Sequence, residues 1–325
     1  MLGQSYNNRS SKKVRDNVKV ELSPTAQSER EQFVLRVSLF CAVALAIFGI
    51  AYGLYIGSKA IVFDGFVAFL SVALILLSVI TSKYIFREDD DVFQYGYARF
   101  EPMVNVFKSL ILLLVCVYAV INGIHGILDG GYRVGFGGAM LFSFVSMILC
   151  IGIWIYTNSS GNRLGSPLIQ VDSLEWLVDS VLYLGGFVAF GAIWFLDPDN
   201  TSEWALYVDS VLVVVLACIL AIMPLKVFIH NLEDLAMRAP PEMDDKVDAL
   251  LENIANEYHF SDYDTHIAKS GRFYMIEVNI LMDKNFRIQT IDQIDEIRTK
   301  IEQGLEISSY KIWLSVSFTK NPKWL

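Results

Sequence analysis

Cysteine and histidine are scarce in this sequence, which has four of each among 325 residues. The cysteines lie inside apolar stretches, and no two of them have the spacing of metal ligands. We therefore expect them to be small apolar packing residues. They are Cys41, Cys116, Cys150 and Cys218.

Motifs of enzymes are also missing. The sequence contains no Ser/His/Asp arrangement, no Cys/His arrangement and no nucleotide-binding motif. We therefore expect a protein that is not an enzyme and that carries no cofactor. The net charge of −9 comes from the acidic C-terminal part and gives no support to nucleic-acid binding.

Charged residues make up only 19% of the chain, whereas hydrophobic residues make up 54% and the mean hydropathy is +0.43. This composition is too apolar for an ordinary soluble domain. Six segments are long enough to cross a bilayer, which takes about 20 apolar residues each. The sequence therefore predicts an α-helical membrane protein embedded in the lipid bilayer. The predicted spans are 33–56, 60–86, 101–128, 134–156, 167–196 and 203–230.

The first 32 residues are polar and basic. We expect no cleavable signal peptide here, because the apolar run that follows is long enough to span the membrane. We expect residues 1–32 to be a disordered basic tail. Its basic residues are Arg9, Lys12, Lys13, Arg15, Lys19 and Arg30.

Lysine and arginine in the short loops indicate the orientation of the chain. The loops on the side of the basic tail contain Lys83, Arg87, Arg99 and Arg163, and the loops on the opposite side contain only Lys59 and Arg133. The sequence therefore predicts that both termini are cytoplasmic. We expect a multi-pass protein of the cell (inner) membrane.

The character of the chain changes after residue 230. Residues 33–230 form the predicted transmembrane domain, 231–240 a linker, and 241–325 a small cytoplasmic α/β domain. Helical periodicity at 243–258 and 290–303 and alternation at 263–267, 272–282 and 310–318 give the order αββαβ. An exposed face of this domain could pair with a second copy, so we expect a homodimer.

Two apolar helices begin with the same polar pattern. Ser58 is followed by Asp64 in the first, and Ser166 is followed by Asp172 in the second. The pattern indicates a parallel internal repeat of three spans each, with a binding site where the two halves meet.

The second copy adds two more acids, Glu175 and Asp179, three and seven positions after Asp172. On a helix these offsets lie on one face. Carboxylates inside a hydrophobic span are costly, so they predict a cationic partner, a metal ion or protons. An ion pair inside the protein would instead require a buried Lys108 or Lys226.

The chain resembles the cation diffusion facilitators, a family of divalent-metal/proton antiporters. The resemblance rests on the Ser-x5-Asp pattern of spans two and five and on residues 95–105 (Tyr-Gly-Tyr-Ala-Arg-Phe-Glu-Pro-Met-Val-Asn). It also rests on Tyr207-Val208-Asp209 and on the αββαβ tail. The resemblance covers about residues 30 to 325 and implies divalent-metal efflux coupled to protons.

The family's transport site has two polar residues four apart on span two and two on span five. The corresponding positions here are Val67 and Ser71, then Glu175 and Asp179. Span two has therefore lost one ligand and replaced another with a hydroxyl. The expected metal ligands are Asp179, Glu175, Asp172, Asp64, Ser71 and Asn105.

Every member of this set is an oxygen donor, which suits hard cations such as Mn²⁺, Mg²⁺ or Fe²⁺ better than Zn²⁺. Other roles remain open for some members. Asp64 and Asp172 could form hydrogen bonds at helix starts, and Ser71 could be a packing residue. Asn105 could be a ligand or a gate. Glu101 is expected to pair with Arg99 or Lys108.

A second functional hypothesis follows from the incomplete span-two site. The chain could be a non-transporting family member, either a sensor or the partner of an intact copy. The sequence leaves this choice open, as it does the identity of the metal and the proton stoichiometry.

Overall fold

The computed structural model describes residues 24–57, 59–87, 90–130, 136–196, 205–283, 290–308 and 311–325. Within them, six helical segments are long and apolar enough to cross a membrane, in agreement with the predicted fold class. Seven helices form these six segments, because the sixth segment comprises both α6 and α7. They are α1 (Pro24–Ile56), α2 (Lys59–Ile85), α3 (Phe100–Leu128), α4 (Phe136–Leu164), α5 (Pro167–Leu196), α6 (Ala205–Leu220) and α7 (Ile222–Leu235). The remaining elements are α8 (Pro241–Tyr258), β1 (Phe260–Ser270), β2 (Phe273–Met282), α9 (Ile291–Leu305) and β3 (Ile312–Thr319).

Three predicted boundaries differ from the structure. The tail predicted over 1–32 is helical from Pro24 onward, and residues 1–23 lie outside the described residues. Helix α4 continues to Leu164, so the connection to α5 is only two residues long, where the sequence suggested a loop from residue 157. The linker predicted over 231–240 shortens to 236–240 because α7 ends at Leu235.

Helices α1 and α2 pack against each other through glycine. A Cβ added to Gly49 would lie 2.9 Å from the Cα of Gly65, which is closer than two such atoms approach. Small residues let the two backbones come into direct contact, as in many membrane helix pairs. Helix α4 packs on α5 in the same way that α1 packs on α2, and α3 packs on α6, so the two halves of the repeat have equivalent neighbours.

The sixth span consists of two helices, α6 and α7, that meet at Ala221. Pro224 lies in the first turn of α7, where its missing N–H leaves the carbonyl group of Leu220 without the usual helical donor. The span continues through α7, which ends at Leu235 and leads to the C-terminal domain.

The C-terminal domain has the predicted order αββαβ. Strand β1 pairs antiparallel with β2, and β3 pairs parallel with β2, so the sheet order is β1-β2-β3. Helices α8 and α9 cover one face of the sheet. The core between them consists of the buried residues Val247, Leu251, Ile254, Ile267, Ile276, Val278, Ile280, Met282, Ile297, Ile301, Leu305 and Val316.

The β1–β2 turn docks the C-terminal domain onto the membrane helices. Arg272 is only 7% exposed, and its guanidinium group bonds Glu101 of α3 at 2.6 Å and Glu31 of α1 at 2.9 Å. It also donates to the hydroxyl group of Ser166, which precedes α5, at 3.3 Å and lies over the ring of Phe86. The two acids raise the pKa of Arg272 despite its burial, so it stays charged.

The expectation that Glu101 pairs with Arg99 or Lys108 is therefore wrong. Its partner is Arg272, which lies far away in the sequence. Because Arg272 contacts residues at the starts of α1, α3 and α5, these three helix starts and the C-terminal domain lie on the same side of the membrane region.

Candidate metal-binding site

A cavity of about 40 Å³ lies between α1, α2 and α5. A single water molecule needs roughly 10–15 Å³ measured in this way, so the cavity can hold a small cation with one or two waters. Its polar lining consists of Asp64 and Ser71 from α2 and Glu175, Trp176, Asp179 and Tyr183 from α5. Apolar lining comes from Ala42, Leu45, Val67, Ala68 and Ile75.

The local sequence explains why α5 presents its acids together. Ser166 caps the helix by accepting a hydrogen bond from the backbone N–H of Ile169 at 3.4 Å, and Pro167 occupies the first helical position. From there Asp172, Glu175 and Asp179 recur every three or four residues and share one helix face.

Asp64 lies at the cavity and is held by a residue of the other half of the repeat. The hydroxyl group of Tyr183 donates a hydrogen bond to Asp64 Oδ2 at 2.7 Å. Tyr183 is four residues after Asp179 and continues the acidic face of α5. The bond therefore joins the two polar helix faces directly.

Glu175 and Asp179 line the cavity with few internal partners. Glu175 is 5% exposed, and its Oε2 has no hydrogen-bond partner among the described residues. No described donor bonds the carboxylate of Asp179 either. A buried carboxylate oxygen without a donor is costly, so Glu175 has free capacity for a cation or a proton, and the half-buried Asp179 adds a second carboxylate at the same cavity.

Asp172 lies outside the cavity, in a buried polar network. It accepts a hydrogen bond from Ser38 Oγ at 2.6 Å, and Ser38 in turn accepts one from Trp176 Nε1 at 2.7 Å. The ammonium group of Lys108 lies 3.4 Å from Asp172 Oδ1 and 3.2 Å from Glu175 Oε1. Of the two lysines considered as internal partners, Lys108 is the one that pairs with these acids.

Asn105 also lies outside the cavity, at the contact between α3 and α7. Its side-chain amide donates to Asn231 Oδ1 at 3.1 Å, and Asn231 donates to the carbonyl group of Val227 at 2.8 Å. Of the six predicted ligands, the structure brings Asp64, Ser71, Glu175 and Asp179 to one cavity and places Asp172 and Asn105 elsewhere.

The carboxylates surround the cavity without forming a compact ligand cluster. In the part of the chain that the structure describes, no three His, Cys, Asp or Glu side chains are close enough to hold a metal ion together. Tyr183 holds Asp64 on one side, and Lys108 lies against Glu175 on the other. Binding a cation from several sides would require these carboxylates to converge on the cavity.

Sequence reasoning missed Tyr183, Ser38 and Trp176. A signal was available for Tyr183, since it continues the spacing of the acids on α5. Ser38 and Trp176 carry no such signal, because serines and tryptophans are common in membrane helices. Only the packing of α1 against α5 shows that they hold Asp172.

Comparison with known proteins identifies the family. No match is found among curated proteins. The family model described as the cation efflux transmembrane domain matches residues 35–236. The match begins inside α1, at its twelfth residue, and ends just after α7. The match covers more than half of the chain, which therefore belongs to the cation diffusion facilitator family of cation efflux proteins.

Proposed function

We propose that the chain exports a hard divalent cation, Mn²⁺, Mg²⁺ or Fe²⁺ in preference to Zn²⁺, in exchange for protons. Transport of divalent cations in general follows from family membership. The choice of metal, the exchange for protons and the ligands are the proposed parts. The proposed ligands are Asp64, Ser71, Glu175 and Asp179, while Asp172 and Asn105, also expected as ligands, support the site from outside the cavity.

The composition of the cavity lining supports a hard cation. Its free polar atoms are carboxylate and hydroxyl oxygens, and no described histidine or cysteine lines it. The indole N–H of Trp176 is engaged with Ser38 and is a donor only. Mn²⁺, Mg²⁺ and Fe²⁺ accept carboxylates, hydroxyls and waters, whereas a tetrahedral Zn²⁺ site favours histidine and cysteine.

The burial of the acids supports exchange for protons. A carboxylate in a low-dielectric region is stable only when a cation or a proton neutralises it. Glu175 and Asp179 line the same cavity, and Glu175 has an oxygen without a donor there, so metal and protons compete for these carboxylates. Metal release on one side would be followed by protonation, and proton release on the other side would restore the metal-binding form.

The docking of the C-terminal domain supports an orientation with both ends of the chain in the cytoplasm. Arg272 links that domain to the starts of α1, α3 and α5, and the predicted cytoplasmic loops contain most of the loop arginines and lysines. A location in the cell membrane is a further part of the proposal.

A homodimer is proposed from the C-terminal sheet. Helices α8 and α9 cover one face, and Trp313 on the other face is 53% exposed. One edge of this ring meets Tyr95, and the exposed part of a tryptophan on such a sheet face is typical of a contact surface. Mass measurement of the purified chain in mild detergent tests this, and a monomer mass would overturn it.

Proteoliposomes loaded with a pH-sensitive dye test the transport proposal. Mn²⁺, Mg²⁺, Fe²⁺ and Zn²⁺ are supplied one at a time, and metal flux and proton flux are recorded together. Glu175→Ala and Asp179→Ala should abolish both fluxes. Asp295→Asn is the matched control, because this acid is exposed and pairs with nearby Arg298. Normal transport by both cavity variants would rule out the assigned site.

The second candidate is a non-transporting member of the family. The apolar side chain of Val67 lines the cavity where relatives have a polar residue, so α2 offers only Asp64 and Ser71. The same proteoliposomes decide between the two functions. Absence of flux for every metal, in a folded protein, would favour a sensor or a partner of an intact copy.

A further inference from the structure

Lys108 places an ammonium group next to the proposed metal site. It is 0% exposed and lies on α3. Its ammonium group donates to Ser78 Oγ of α2 at 3.0 Å and lies 3.4 Å from Asp172 and 3.2 Å from Glu175 of α5. A buried lysine in a membrane span is costly, and these three contacts account for its presence.

The two acids beside Lys108 differ in their other contacts. Asp172 is held by the hydroxyl group of Ser38 at 2.6 Å and does not line the cavity. Glu175 lines the cavity, and its Oε2 has no partner among the described residues. Its carboxylate therefore lies between the ammonium group of Lys108 and the space in which the transported cation would bind.

We infer that Lys108 competes with the transported cation for Glu175 and thereby sets the affinity of the site. The inference rests on the proposed function, because Glu175 must be a metal ligand. With metal in the cavity, Glu175 turns to the metal, and Lys108 keeps Asp172 and Ser78. When the metal leaves, the ammonium group again neutralises Glu175, so the vacated site carries less uncompensated charge.

Competition makes the site weaker than its four oxygen donors alone would make it. A unit charge several ångströms from a divalent cation changes affinity by well over tenfold, even at an effective dielectric constant of about 20. An exporter benefits from moderate affinity, because the cation must also leave on the far side. Lys108 is thus a positioning residue for Glu175 rather than a ligand.

The test is a charge-neutral double variant. Lys108→Gln with Asp172→Asn removes one positive and one negative charge, so the net charge near the cavity is unchanged and only the competition for Glu175 is lost. Mn²⁺ binding to the purified full chain, measured by electron paramagnetic resonance, should tighten about tenfold or more, because Glu175 no longer gives up an ion pair at 3.2 Å with Lys108 when it binds the metal. The control pair, Lys246→Gln with Glu306→Gln, removes an exposed ion pair and should leave binding unchanged.

Binding no tighter than wild type in the double variant would overturn the inference, since it would make Lys108 a structural partner or Asp172 a ligand. If this variant does not fold, Lys108→Met with Asp172→Leu replaces it, because apolar replacement of a buried ion pair is often tolerated.

Asp179→Asn distinguishes a failure of the role of Lys108 from a failure of the proposed metal site. Loss of Mn²⁺ binding in Asp179→Asn without tightening in the double variant refutes only the role of Lys108. Normal binding in Asp179→Asn refutes the proposed site itself.

Discussion

Gly271→Ala tests how strongly the C-terminal domain is docked onto the membrane helices. Gly271 forms the β1–β2 turn beside Arg272 with a φ of +60°, in the left-handed region. A Cβ at this position would lie 2.5 Å from Glu101 Oε2, 3.1 Å from its Cδ and 3.2 Å from its Cγ. The substitution therefore adds a steric conflict with Glu101 to the strain of the backbone.

The size of the effect follows from what holds Glu101. A left-handed alanine costs about 1–2 kcal/mol by itself. Glu101 is 0% exposed and accepts from the backbone N–H, Nε and Nη2 of Arg272, so it cannot move aside and keep its partner. Breaking a buried ion pair costs about 3–5 kcal/mol more.

Gly96→Ala is the matched control. Gly96 has a φ of +70°, yet an added Cβ would meet nothing within 4 Å. Gly96→Ala should therefore lower the free energy of unfolding only by the cost of placing alanine in the left-handed region. The apparent unfolding temperature of the purified chain and its sensitivity to protease at the linker 236–240 compare the two variants. Gly271→Ala should unfold earlier and be cut faster. Equal loss in both variants would refute the reasoning, because the contact between Glu101 and Arg272 would then contribute nothing measurable.

Three further predictions concern single side chains. Tyr183→Phe removes the hydrogen bond to Asp64 and should lower the free energy of unfolding by about 1.5–3 kcal/mol, seen as a lower Tm in chelator; an unchanged Tm would contradict it. Val67→His adds an imidazole to the cavity and should raise Zn²⁺ flux relative to Mn²⁺ flux in proteoliposomes, and an unchanged ratio would count against the assigned cavity. The hydrogen bond from Tyr97, together with backbone N–H groups, lowers the pKa of Asp90. The stabilisation by Asp90 is then present above its ordinary pKa of about 3.9 and is lost as pH falls through the lowered value. The Tm difference between wild type and Asp90→Asn should therefore vanish in acid. A difference that persists in acid would refute the role of Asp90.

The membrane spans and the αββαβ domain were predictable because both depend on local patterns. Long apolar runs identify spans, and alternation identifies strands. The end of α4 was not predictable in this way. Its last turns are rich in serine, asparagine and glycine, which suggest a loop. In the structure the hydroxyl group of Thr157 donates a hydrogen bond to the carbonyl group of Ile153 at 2.8 Å, and the polar turns remain helical.

The candidate site was predictable only within each helix. The spacing of Glu175 and Asp179 places them on one face, but which face of α3 or α1 meets it depends on how the helices are rotated and packed. The sequence identifies Lys108 as a possible partner of the acids. That it contacts Asp172 and Glu175 depends on how α3 packs on α5, which only the structure shows. The pairing of Arg272 with Glu101 was not predictable from the sequence, since 171 positions separate the two residues.

The glycine contact between α1 and α2 has a consequence for how the cavity can open. Because Gly49 and Gly65 bring the two backbones together, any sliding of one helix along the other would collide with bulkier neighbours. We therefore expect α1 and α2 to move as one rigid pair, and α5 to move with α4, against which it packs most extensively. The cavity lies on the seam between the pairs. A small shear along that seam changes the distance from Asp64 to Glu175 and Asp179 while the packing inside each pair stays intact.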